Sequence, residues 1–258
     1  MINVDIYDYA KSPKSEDWKK ICKDKIESID KIGLERTKNK FKFDLLNFNE
    51  GYHGIRLNYW LQEFNNRAFD LTTNYTLLKS YYDAGIPDDE WYTSGEDGTG
   101  IRYFPHFEER HHGNLYWFGF YLESYYTRFE GLIDAVYHVI NLKYKFDIEP
   151  ALGFRKKVLT KLETEDKALY DYLVTLPDDA VFKKVNEYRN NIVHNYRPNQ
   201  VDNGYVKEKH DDGSTTITMT VGNYTTSTEF LTNINDSLDL LAEITDEIRN
   251  KVTEDDNE

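Results

Sequence analysis

The chain has 258 residues, of which 39 % are hydrophobic and 15 % aromatic, enough to fill one large core or two small ones. Its 32 basic and 46 acidic side chains give a formal charge of -14 at pH 7, a field that repels polyanions and discourages non-specific binding to nucleic acid or membrane, so any site for a polyanion has to be a local exception. One cysteine, Cys22, excludes an intrachain disulfide framework and a cysteine-based zinc site.

A reducing compartment fits that cysteine usage, the start MINVDIYDYAKS has no basic and apolar leader, and no apolar run approaches about 18 residues, so the expected address is cytoplasmic. From Ser15 to about Arg36, Trp18, Ile21, Cys22, Ile26, Ile29 and Ile32 recur at steps of three or four, which predicts an amphipathic helix. A second helix is predicted from about Ile55 to Tyr82, on Tyr59, Trp60, Phe64, Phe69, Leu71, Leu77 and Leu78, with a bend at its Thr72-Thr73-Asn74 centre. From Asp83 to Gly113 the periodicity fails, and AGIPDDEW and SGEDGTG carry Gly, Pro and Asp at the density of a long loop or lid. No Gly-Lys-Ser/Thr follows these glycines, which excludes a phosphate-cradling P-loop.

The strongest helical pattern runs from about Asn114 to Lys145, where Leu122, Tyr125, Tyr126, Phe129, Ile133, Val136, Tyr137 and Ile140 form a broad apolar face. It is expected to be the central helix of a bundle, punctuated by Glu123, Arg128, Glu130 and Asp134. Another helix is expected from about Phe154 to Leu176, interrupted near Glu163 to Asp166 and closed by Pro177. Asp178 or Asp179 then caps a helix to about Asn195, buried through Val181, Val185, Tyr188 and Ile192, with Pro198 placing His194 in the last turn. YVKEKH, DDGS and TTITMTV read as a β-hairpin around an Asp-Gly turn. Phe230, Leu231, Ile234, Leu238, Leu241, Ile244 and Ile248 mark a closing helix to about Val252, followed by a frayed acidic tail. The 21 tyrosines suit boundaries where one end is apolar and the other hydrogen-bonded, which hints at self-association.

Chemistry concentrates in Tyr188 to Tyr196. Asn190 and His194 are four residues apart and share a helix face; Arg189 sits about 140° from His194, and its long side chain can swing to the same place. Between Val181 and Arg197 the chain carries Lys183, Lys184, Arg189 and Arg197 against Glu187 alone, the local exception to the acidic field, although Asp178 and Asp179 just upstream reduce it. Cleaving an RNA backbone needs a base for the 2'-hydroxyl, an acid for the leaving 5'-oxygen and positive charge on the phosphate; histidine serves as acid or base and a forked guanidinium clamps phosphate, with no metal required. The same residues near a helix end also serve as caps, surface ion pairs or a satisfied core histidine.

Glu187-Tyr188-Arg189-Asn190-Asn191-Ile192-Val193-His194 resembles the Arg-x4-6-His signature, in its Arg-Asn-x-x-x-His form, of the HEPN superfamily (higher eukaryotes and prokaryotes nucleotide-binding). The resemblance covers roughly 114–252 and implies an all-α, antiparallel up-and-down helical bundle, here with a small β-hairpin insertion before the last helix. Residues 1–113 are then an N-terminal helical extension and long loop packed on the same domain, and 253–258 a frayed tail.

It further implies a homodimer with two motif helices facing across a cleft, and a metal-independent endoribonuclease of toxin or defence type acting on single-stranded or looped RNA. A protein or nucleotidyltransferase antitoxin is the implied further partner, with no cofactor, no membrane and no DNA. Arg189 and His194 would be catalytic and Asn190 would orient substrate, joined by one of Glu123, Glu130 and Asp134 on the central helix. The alternative is a non-catalytic RNA- or nucleotide-binding module of the same fold, towards which the acidity leans.

Three further features compete. In His106-Phe107-Glu108-Glu109-Arg110-His111-His112, Glu108 with His111 or Glu109 with His112 have helical metal-ligand spacing, but Pro105 and Gly113 bracket the segment, and a solvated surface or a lid over the cleft are the other readings. Cys22, among Ile21 and Ile26, reads as a buried structural thiol. Tyr116, Tyr121, Tyr125 and Tyr126 are candidates for base stacking, yet they occupy several sides of one helix, as core and dimer packing also require.

Overall fold

The computed structural model describes residues 5–35, 48–95, 100–202 and 204–253. The chain is 66 % helical with two small antiparallel hairpins, an all-α bundle with minor β insertions.

The N-terminal periodicity does not form one helix. It gives α1 (Trp18–Ile21), a 3-10 turn (Lys23–Lys25) and α2 (Ile26–Lys31). Tertiary anchors override the amphipathic pattern here. The Cys22 thiol lies 3.0 Å from the Thr76 hydroxyl, while Lys25 and Ser28 both bond Asp239, so the segment turns between two long helices. Arg36, the expected far end, lies outside the described residues.

The first of those long helices, α3 (Phe48–Asp83), is continuous through its polar centre. Thr72 and Thr76 hydroxyls donate to the carbonyls of Phe69 and Thr72, and the Asn74 amide donates to that of Asp70, so these side chains bond back onto their own helix.

The segment expected to be a continuous loop contains β1 (Tyr92–Ser94) paired antiparallel with β2 (Ile101–Tyr103), register Tyr92 to Tyr103, and residues 96–99 lie outside the description. The central helix α4 (Glu109–Lys143) begins five residues earlier than its apolar pattern suggests, because His111 Nδ1 accepts the Glu108 backbone N–H at 3.0 Å and caps the start.

Helices α3 and α4 pack antiparallel: Arg128 meets Asp70, Arg67 meets the Gly131 carbonyl, and Trp60 stacks on His138, one number rising as the other falls. The seam is made by Leu61, Phe64, Ala68, Leu71, Tyr75 and Leu78 against Phe118, Leu122, Tyr125, Phe129, Leu132 and Val136, all buried, each large side chain contributing about 1.5–3 kcal/mol before entropy.

Beyond α4, α5 (Phe154–Glu165) and α6 (Lys167–Thr175) are separated at Asp166, whose carboxylate caps α6 through the Leu169 N–H, matching the expected interruption. A 3-10 turn at Leu176–Asp178 leads into α7 (Ala180–His194). The hairpin β3 (Tyr205–Lys209) and β4 (Thr215–Met219) pairs Tyr205 with Met219 around Asp212-Gly213, where Gly213 takes φ +82°, a left-handed geometry natural to glycine.

Both hairpin strands are solvent-exposed along their whole length. Helix α8 (Ser227–Thr253) closes the bundle, its Asn233, Asn235 and Ser237 taking hydrogen bonds with the phenols of Tyr126, Tyr75 and Tyr125. The acidic tail lies outside the described residues.

Candidate functional site

Helix α7 is set by local chemistry. Asp179 accepts the Phe182 N–H at 2.9 Å, capping the start, and Phe182, Val185, Tyr188 and Ile192 are buried. Val181, expected on that stripe, is half-buried at its edge. Tyr188 packs at 4.6 Å from the Phe230 ring and 5.7 Å from Tyr126, while Phe182 meets Phe129. Those anchors make α7 antiparallel to α4 and fix its rotation about its own axis. The helix ends at His194, where the Asn195 N–H still bonds the Asn191 carbonyl before the backbone turns extended ahead of Pro198.

With the apolar stripe inward, the motif's asparagine and histidine face out. Asn190 and His194 are exposed and Arg189 is half-buried. Arg189 Nη1 donates to Asn190 Oδ1 at 3.0 Å and lies 3.4 Å from His194 Nε2. The three side chains singled out in the sequence therefore meet within one turn and a half of helix. A guanidinium can only donate, so Nε2 is the acceptor in this contact and the imidazole proton sits on Nδ1. Arg189 Nε is enclosed by protein and has no hydrogen-bond partner.

The three acidic candidates of α4 share one stripe but separate in role. Glu123 Oε1 lies 2.6 Å from Arg197 Nη1, on the segment that leaves the motif. Glu130 and Asp134 lie about 10 and 16 Å further along the axis and both hold Arg155 of α5, each at 2.7 Å. The structure thus brings Glu123 towards the motif and commits the other two to α5. Arg197, read in the sequence only as local charge, emerges as the partner of Glu123; the Arg-Pro pair just past the motif was its only signal.

The histidine-rich segment is dispersed. His106 pairs with Glu90 at 3.0 Å, His111 caps α4, and His112 packs on Phe104 and Phe107, and among the described residues no group of three metal-capable side chains converges. Of the four tyrosines, Tyr125 and Tyr126 are fully buried, Tyr121 stacks on Tyr81, and only Tyr116 is open, at 47 %. Cys22 is buried, which pushes its thiol up from the ordinary range.

A family model described as Cthe2314-like HEPN matches residues 60–251, more than half of the chain. The chain belongs to the HEPN superfamily. No curated protein and no solved structure matches it. The HEPN match takes in most of α3 together with α4 to α7 and nearly all of α8. Membership places the protein among HEPN domains, with their nucleotide-related functions. No helix of the described residues is long and apolar enough to cross a membrane.

Proposed function

We propose that this HEPN chain is a metal-independent endoribonuclease that works as a homodimer, two copies of α7 framing a cleft for single-stranded RNA. The observation that carries the reading is the contact of Arg189 Nη1 with His194 Nε2, 3.4 Å apart on an exposed helix end. A phosphodiester entering there draws Arg189 onto its oxygens and releases Nε2. His194 Nε2 then takes the 2'-hydroxyl proton, the 2'-oxygen bonds to phosphorus, and the 5'-oxygen leaves with a proton from the imidazolium of the second motif copy. The products are a 2',3'-cyclic phosphate and a 5'-hydroxyl. Arg189 offsets charge growing on the phosphate, Asn190 orients it, and Glu123 acts by holding Arg197.

The test is labelled single-stranded RNA with EDTA, wild type against His194→Ala and Arg189→Ala. Loss of about 100-fold or more in both variants, with cyclic phosphate ends from the wild type, is expected. Equal cleavage by all three rejects the mechanism. The -14 charge favours a second reading, a binding module that never cuts; it predicts RNA affinity without cleavage, weakened by Arg189→Ala more than by His194→Ala. Light scattering should give about twice the 30.6 kDa chain mass; a strict monomer removes the shared cleft.

A further inference from the structure

We propose that the open edge of β4 is a self-association surface, on which β4 of a second copy pairs antiparallel and joins two hairpins into one four-stranded sheet. The inference goes beyond the nuclease reading, since no residue of the Arg189-His194 site takes part in it.

The two strands of this hairpin are unequal. β3 reads Tyr-Val-Lys-Glu-Lys and carries three charges, while β4 reads Thr-Thr-Ile-Thr-Met and carries none. A strand edge left to water presents a row of unpaired N–H and C=O groups, a template for another strand that charges, proline or a bulge ordinarily guard against. β3 is guarded and β4 is not. All residues of β4 but Met219 are β-branched, and Ile217 and Met219 are 64 % and 76 % exposed. Among the described residues β3 is its sole neighbour in the sheet. A ribbon of two strands with neither face packed is marginal in water, and three or more strands make the stable form.

The ladder itself tells which backbone groups are open. The Thr220 N–H donates to the Gly204 carbonyl at 2.6 Å and the His210 N–H to the Ser214 carbonyl at 3.0 Å, both on the register that sets Val206 opposite Thr218. Bonded and non-bonded pairs alternate along an antiparallel ladder, so Thr216 and Thr218 turn their N–H and C=O groups to β3. Thr215, Ile217 and Met219 turn theirs to the open edge.

That open set is complementary to itself. A two-fold axis at Ile217 sets it opposite Ile217 of the partner subunit, and sets Thr215 opposite Met219 of the partner subunit. Every outward-facing residue of both strands then belongs to a hydrogen-bonded pair, with none left over. A slip of one residue would set outward groups against inward ones. Thr216 comes to face Thr218 of the partner subunit, and the two isoleucines meet at the axis, pairings that stabilise antiparallel seams. Met219 already sits beside Tyr205, so the apolar side chains of both hairpins become one stripe across the sheet. Charge selects the same occupant and edge. A net charge of -14 repels a second copy over most of the surface, whereas β4 is uncharged and Lys207 and Lys209 lie on the same face as Ile217. Pairing through β3 about Lys207 would instead set that lysine against its own counterpart.

Ile217→Cys in the full chain tests the register directly, since the native Cys22 is buried. Across a hydrogen-bonded pair the two Cα atoms lie about 5.5 Å apart, within disulfide reach, so mild oxidation should give a covalent dimer. Thr215→Cys is the control, because its two copies would stand about 13 Å or more apart along the seam and should not cross-link. Ile217→Lys sets two ammonium groups across the axis, and Ile217→Pro removes an edge donor that β3 does not use. Each should raise the dimer dissociation constant at least about tenfold by sedimentation, with the helical circular dichroism unchanged. No cross-link from Ile217→Cys, equal cross-linking by Thr215→Cys, or an unchanged dissociation constant in both Ile217→Lys and Ile217→Pro overturns the proposal. So does a monomeric wild type, which would leave the edge to a strand of another protein. A cross-linked dimer that cuts no RNA rejects the nuclease reading and leaves the pairing standing; a dimer that cuts RNA but never cross-links removes the pairing alone.

Discussion

Glu123 and Arg197 meet at 2.6 Å, tying the segment that follows the motif to the central helix at the point where the two run side by side. Both side chains keep solvent contact, 29 % for Glu123 and 48 % for Arg197, so the pair itself contributes at most about 1 kcal/mol to folding. Glu123→Gln is expected to lower RNA binding or cleavage about tenfold while moving the melting temperature by only a few degrees. A large loss of stability with unchanged RNA affinity would show that the pair is merely a brace.

Arg155 behaves in the opposite way. It closes on Glu130 and Asp134 and lies over the Tyr137 ring, joining α5 to α4. Arg155→Met leaves two carboxylates facing each other one turn apart. After allowance for solvent screening, a loss of about 1–2 kcal/mol is expected in urea titration, with RNA affinity per folded molecule unchanged.

His138 lies between Trp60 and Phe154, stacked at 3.8 and 4.5 Å. Burial holds its imidazole below the ordinary 6.5, Asp134 opposing and Arg67 reinforcing the shift. Because the folded value is the lower one, the unfolded chain takes up the proton first as the solution is acidified. This contribution to stability is therefore complete above about pH 6.5 and disappears as pH falls through the depressed folded value. His138→Phe should flatten the loss of stability between pH 7.5 and 5 relative to wild type; identical slopes for the two proteins would contradict it.

Asp88 is fully buried and receives three donors, the Ser227 N–H and hydroxyl and the Tyr224 phenol, at 2.8, 2.6 and 2.7 Å. It thereby fastens the loop after α3 to the start of α8. Burial raises its carboxyl above the usual range despite those donors. Asp88→Ala strands all three and should cost about 3 kcal/mol in denaturant unfolding, with Asp88→Asn costing clearly less because the amide oxygen still accepts. Equal losses for the two variants would place the effect in packing alone.

Features decided within a few residues were legible in the sequence. The Asp179 cap, the inward Tyr188 and Ile192, the break at Asp166 and the Asp-Gly hairpin all depend on neighbours in the chain. Features decided by distant partners were not. Nothing local distinguishes Glu123 from Glu130; their roles follow from Arg197 and Arg155. Cys22 and Lys25 look like members of one helix until Thr76 and Asp239 pull on them. The β1 and β2 strands, three exposed residues each, are too short to show alternation. Glu108 and His111 share the spacing of a metal pair and use it to cap a helix, because spacing alone does not say what a side chain meets.

On α7, the residues that hold the helix in place point inward, while Asn190 and His194 are exposed and Arg189 is half-buried at the edge. Substituting Asn190 or His194 thus removes no buried side chain. A silent form of the protein lies one surface change away, at almost no penalty in folding. On the proposed nuclease reading, an expression or solubility screen would pass such a variant unnoticed, and descendants of this scaffold would be free to give up cleavage and keep the bundle as a recognition platform.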